Sequence, residues 1–131
     1  MILLDVLGDP APQGSKRVFN GRVVEASGEK LKKWRKAIAA ACEAHAQENI
    51  ILGPVKLKVV FFLPRPQTVK ITKRPLPIVP PDLDKLVRAV GDGVGQSGLI
   101  WGDDSQIVVI EASKCYADDR EPGALIQISE L

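Results

Sequence analysis

A chain of 131 residues, 45% of them hydrophobic, has apolar material for one core but not for two, so residues 1–131 are read as a single domain. The formal net charge of +2 gives no global case for nucleic acid, and Cys42 and Cys115 belong to no Cys-x-x-Cys or Cys/His pattern, which argues against zinc and fits a reduced, cytoplasmic protein. Met1 to Asp5 has no basic segment, and no apolar run nears the roughly 20 residues of a membrane span, so neither secretion nor a membrane is expected.

Ile2 to Leu7 reads as a strand, ended by the turn formers of Gly8 to Gly14. Lys16 to Phe19 and Arg22 to Glu25 flank Asn20-Gly21, the dipeptide best suited to a type I′ turn, and predict a hairpin. With Ser27 as N-cap, a helix is expected to about Gln47. Leu31, Trp34, Ile38, Ala41, Cys42 and His45 fall on one face, which assigns Trp34 and His45 to the core. Lys32, Lys33 and Lys36 form a basic opposite side, suited either to water or to a phosphate backbone.

Val55 to Leu63 alternates and then turns wholly apolar, as a central strand does. Pro64 to Pro81 holds six prolines together with Arg65, Lys70, Lys73 and Arg74, and reads as a long, basic, partly mobile loop. Leu83, Leu86, Val87, Val90 and Val94 define a second helix, which Gly91, Gly93, Gly95 and Gly98 weaken and end. Gln106 to Tyr116, a buried strand by its β-branched run, and Ala124 to Ser129 are joined by a polar turn and predict an antiparallel pair. The order β-ββ-α-β-α-β-β gives an α/β (α+β) fold, a small mixed sheet with two main helices on one or both faces.

Two acidic groups stand out. Pro80-Pro81 places Asp82 as the natural N-cap of the second helix and Asp84 in its first turn, where the helix dipole favours carboxylates. Asp103-Asp104 precedes the next strand, and Trp101 is placed to pack beneath that turn. Capping alone accounts for Asp82 and Asp84; gathered with the second pair, the same acids repel one another unless a cation intervenes, and all-oxygen donors select Mg²⁺ or Mn²⁺. Such an ion suits phosphoryl chemistry, with Arg88 one turn beyond Asp84 as a charge stabiliser or merely its i, i+4 ion-pair partner. Residues alone leave both readings open.

The string Asp82-Leu83-Asp84-Lys85-Leu86-Val87-Arg88-Ala89-Val90-Gly91-Asp92, followed by Ile100-Trp101-Gly102-Asp103-Asp104-Ser105-Gln106-Ile107, resembles the RusA family of phage and bacterial crossover-junction endonucleases. The resemblance implies a Mg²⁺-dependent endonuclease, with Mn²⁺ as substitute, that resolves four-way junctions as a homodimer by paired nicks. It carries the family's metal-binding acids onto Asp82, Asp84 and Asp104, with Asp92 and Asp103 matching acids of less defined role. Lys85 stands where the family usually has Asn, and Arg88 where it has a catalytic Lys; Arg supplies charge but no proton near neutral pH. Phosphate contacts are expected from Lys16, Arg17, Lys32, Lys36, Arg65, Lys70, Lys73, Arg74 and Lys85, largely independent of base sequence. A junction-binding protein without catalysis is the competing expectation, motivated by the two departures. A small-molecule phosphate binder is disfavoured by the lack of a glycine-rich phosphate loop.

Overall fold

The computed structural model describes residues 1–14, 16–19, 22–25, 28–45 and 49–131, with 16–19 and 22–25 as backbone. In chain order the elements are β1 (Ile2–Leu7), β2 (Lys16–Phe19), β3 (Arg22–Glu25), α1 (Gly28–Ala44), β4 (Val55–Leu63), α2 (Leu83–Ser97), a 3₁₀ turn at Asp104–Gln106, β5 (Ile107–Tyr116) and β6 (Gly123–Glu130). β2 and β3 pair antiparallel, as the hairpin reading requires. The proposed turn at Asn20-Gly21, the Ser27 cap and Gln47 lie outside the described residues.

The main sheet has the order β1-β6-β4-β5. Its registers align apolar rows across one face: Ile2, Ile128 and Leu57; Leu4, Ile126 and Val59; Val6, Ala124 and Phe61. All nine side chains are buried, because strand alternation turns them towards the helices. Leu31, Trp34, Ile38 and Cys42 of α1 and Leu86, Ala89, Val90 and Val94 of α2 complete that core. The other face carries Lys56 and Lys58 beside Glu111, and Arg120 over the Phe62 ring at 4.1 Å.

Several expectations are corrected. β5 and β6 do not pair: β4 lies between them, parallel to β5 and antiparallel to β6. β5 is not a buried strand but an edge, with Val108, Val109 and Ile110 exposed. His45 is exposed in the turn after α1 rather than part of its apolar stripe, because the helix ends at Ala44. The glycines do end α2, as expected, at the last of them. It runs through Gly91, Gly93 and Gly95 to Ser97, and Gly98, at φ 66°, makes the left-handed cap.

The proline-rich segment is fastened at both ends. Arg65 stacks 4.0 Å from the centre of the Tyr116 ring and donates to Asp118 at 2.7 and 3.0 Å, and also to the carbonyls of Arg74 and Pro75. Arg74 Nε donates to the Tyr116 hydroxyl at 2.8 Å, and Lys114 Nζ to the carbonyls of Val79 and Pro81 at 2.9 Å each. Among the described residues, no helix is long and apolar enough to cross a membrane.

Candidate active site

Three glycines of α2 set the geometry. Gly93 lies against Ile38 of α1: a Cβ there would stand 3.0 Å from Ile38 Cβ, so the missing side chain lets the helices approach closely. Gly91 and Gly95 are one turn apart on another face, where they back the Asp104 carboxylate; added Cβ atoms would stand 3.3 and 3.2 Å from its oxygens. Sequence reasoning treated these glycines as helix breakers. The signal for the other reading is their i, i+4 spacing, which clears one face of side chains.

The turn bearing Asp104 is rigidly tied. Trp101, buried, donates from Nε1 to Asp104 Oδ1 at 3.0 Å. Asp103 caps the 3₁₀ turn, accepting from the Ser105 amide at 2.9 Å, while Gln106 Oε1 accepts from the amides of Gly102 and Asp103. Gln106 Nε2 donates to the carbonyls of Ile51 and Gly53, which binds the turn to the segment ahead of β4. Gln106 was missed as a site-building residue, although Asp-x-x-Gln is a legible capping box.

The acids of the two neighbouring positions behave oppositely. The Ser105 hydrogen bonds hold Asp103 below the usual carboxylate range. Burial pushes Asp104 up, and the charges of Asp92 and Asp103 and a contact with the Asp92 carboxyl add to the rise against the opposing Trp101 bond. Asp103 is therefore a cap, and Asp104 with Asp92 is the stressed pair.

Asp82 and Asp84 sit at the other end of the helix. Asp82 occupies the N-cap position with extended backbone but makes no capping hydrogen bond; its carboxylate pairs instead with Lys85 at 3.6 Å. Asp84, exposed, shares a helix face with Arg88, Gly91 and Gly95 at spacings of four, three and four residues. No ion pair joins Asp84 to Arg88 among the described residues. The Arg88 guanidinium lies instead over Gly14, where a Cβ would stand 2.5 Å from Nη1. The Gln13 amide, donating to the Lys85 carbonyl at 2.9 Å, docks that loop on α2.

Asp84 and Gly91, seven residues apart, are separated by about 10 Å along the helix axis. The structure thus brings Asp92 to Asp104 and leaves Asp82 and Asp84 as a separate pair. Among the described residues no group of three or more Asp, Glu, His or Cys is gathered tightly enough to hold an ion.

Of the expected phosphate contacts, Lys32 and Lys36, with Lys33 and Arg35, line an open groove that reaches α2 at Gln96, next to Gly95. Lys70 and Lys73 are exposed on the loop. Arg65 and Arg74 are engaged within the chain as described, and Lys85 faces Asp82. The side chains of Lys16 and Arg17 lie outside the described residues.

Asp82, Asp84 and Asp92 thus lie along one helix, whose far end meets the lysine-lined groove at Gln96. Residues 8–129 match the family described as Endodeoxyribonuclease RusA, and the chain belongs to that family. It is also similar to the uncharacterized protein YqaN of Bacillus subtilis (strain 168), with 33% identity over an alignment covering 99% of this chain and 96% of that protein.

Proposed function

We propose that this chain is a structure-specific DNA endonuclease that resolves four-way junctions by paired, symmetric nicks, acting as a homodimer with Mg²⁺. The observation that carries the reading is the Asp104 carboxylate, held by Trp101 against the glycine face of the helix that begins at Asp82 and Asp84, and pressed by Asp92. Those residues fit such an ion: the donors are all carboxylate oxygens, and two of them repel each other until a cation or a proton intervenes. Mg²⁺ ordinarily keeps several waters and takes one or two carboxylates together with substrate phosphate, so the Asp92–Asp104 pair suits it without a closed cage.

Asp104 with Asp92 would hold the ion, and Asp84 with Asp82, about 10 Å along the helix, would reach it only through bound waters and substrate phosphate. It would polarise the scissile phosphodiester and lower the pKa of a bound water. The protein's own part is to fix these acids and to carry Arg88 on the helix between them, from where its planar fork, resting over Gly14, would turn to charge developing on the phosphate. Lys32 and Lys36 in the groove and Lys70 and Lys73 on the loop contact the backbone, making affinity salt-dependent and largely indifferent to sequence. The exposed β5 edge, with Val108 60% and Ile110 52% accessible, supports a two-fold pairing that matches the symmetry of a four-way junction.

Cleavage of a synthetic four-way junction against matched linear duplex, in Mg²⁺ and in EDTA, tests the reading. Paired nicks confined to the junction with Mg²⁺ are expected; no cutting with Mg²⁺, Mn²⁺ or Co²⁺ overturns it. Sedimentation of the wild type and Ile110→Lys tests the dimer, with the variant expected to run as a monomer.

One observation favours a second reading, junction binding without cutting. Arg88, in place of a lysine, lies over Gly14 and cannot supply a proton near neutral pH. Tight junction binding with no nick under any of the three ions, in wild type and in Arg88→Lys alike, would establish it.

A further inference from the structure

We infer that Lys114 is a positioning residue for cleavage: its ammonium clamps the backbone immediately ahead of Asp82 and so fixes where α2 presents its first two aspartates. The inference rests on the reading that those aspartates serve the reaction. Lys114 is paired with Phe61 in the parallel register of β4 and β5, so it continues the row of Val6, Ala124 and Phe61 on the helix-covered face. An apolar residue is what that row calls for. A lysine on an edge strand ordinarily extends into water, where it discourages pairing with other chains. Lys114 is half-buried instead, and its Nζ donates to the carbonyls of Val79 and Pro81 at 2.9 Å each.

The chemistry of that segment explains why an ammonium stands there. Val79-Pro80-Pro81 has three carbonyls but only one amide hydrogen, since neither proline carries a donor. Such a stretch cannot join the edge of β5 by a strand ladder, and sheltered carbonyls without partners are costly. A compact cation on a flexible stem, with three rotatable donors, satisfies two carbonyls at once.

Asp82 follows Pro81 directly, and the Leu86 amide makes the first backbone bond of the helix to the Asp82 carbonyl at 3.1 Å. The clamp therefore acts at the residue from which α2 departs. The same strand begins just after the Asp104 turn, so β5 is tied to one acid pair at its start and to the other through Lys114.

The test compares full-length wild type, Lys114→Met, which keeps the stem and removes every donor, and Lys114→Arg, which keeps charge and donors. Lys114→Met is expected to lower junction cleavage at saturating DNA by about tenfold or more, as a small misplacement of reacting groups does. It should also raise the Mg²⁺ concentration for half-maximal rate, weaken Mn²⁺ binding in calorimetry without DNA, and speed amide exchange at Leu86. Junction affinity in EDTA should be unchanged, and Lys114→Arg should recover each property. Wild-type rate and Mg²⁺ midpoint in Lys114→Met would overturn the inference, and so would a loss of junction affinity as large as the loss of cleavage. If Lys114→Met does not fold, Lys114→Gln replaces it on the same readouts. If the wild type itself cuts nothing, the proposed function has failed, and the Leu86 exchange and Mn²⁺ measurements still decide whether the clamp sets this end of the helix.

Discussion

The two acid pairs beside α2 differ in almost every physical respect. Asp82 and Asp84 are exposed, and what places them is the backbone ahead of them. Asp104 is half-sheltered, set by an indole hydrogen bond and by two residues that lack side chains, with Asp92 as an unfavourable neighbour. Exposure leaves the first pair cheap to maintain and loosely fixed. Shelter makes the second well placed at a cost in electrostatic repulsion, which is the arrangement expected where a cation or a developing charge is to be received.

Neutralising either end is expected to have the largest effect. Asp104→Asn and Asp84→Asn should each lower junction nicking by about 100-fold or more, measured as single-turnover rates. Near-wild-type nicking by either variant would remove that pair from the site. Stability gives a second readout for Asp104. Because Asp104 is pushed above its ordinary value in the fold, folding favours its protonated form; that contribution is fully present below the ordinary value and is lost as pH rises through the raised one. Denaturant titrations without divalent ions should therefore show the wild type losing stability relative to Asp104→Asn as pH climbs above about 4, and Mg²⁺ should narrow the gap.

Gly91→Ala comes next. Its methyl would meet Asp104 Oδ2 at 3.3 Å, while alanine gains helix propensity of about 0.5–1 kcal/mol. Cleavage should fall about tenfold with the melting temperature unchanged or raised; equal losses of both would show that the glycine serves packing alone. The smallest effect is expected at Asp82, which makes no cap hydrogen bond. Asp82→Ala should change stability by less than about 0.5 kcal/mol, not the ~1 kcal/mol of a lost cap, while still slowing cleavage.

Most elements were legible because each rests on local pattern. Val55 to Leu63 alternates, and Leu86, Val90 and Val94 recur at helical spacing. Sheet order was not. Ala117 to Gly123 looks like a hairpin connection, yet β5 and β6 flank β4, and nothing in an apolar strand names its partner. The strand, helix and strand from Val55 to Tyr116 carried the better cue, since a helix between strands ordinarily marks a parallel crossover. At the site, the acids and Trp101 could be read from their string. What could not be read is contact across distance, in which an absent side chain at Gly91 or a lysine at 114 acts on a carboxylate or carbonyl far away in sequence.

The position of β4 has a consequence for the order of synthesis. Both of its neighbours, β5 and β6, lie after residue 106, so a chain that has emerged only as far as Gly98 carries Asp82, Asp84 and Asp92 but has no sheet against which to set them. Nearly every pairing that builds the core is non-local, which delays assembly until the last quarter of the chain is available. A chain that stops at Gly98, from an early stop or a stalled ribosome, thus holds three of the four acids proposed for the site without the strands that pair with β4, and is expected to show no nicking.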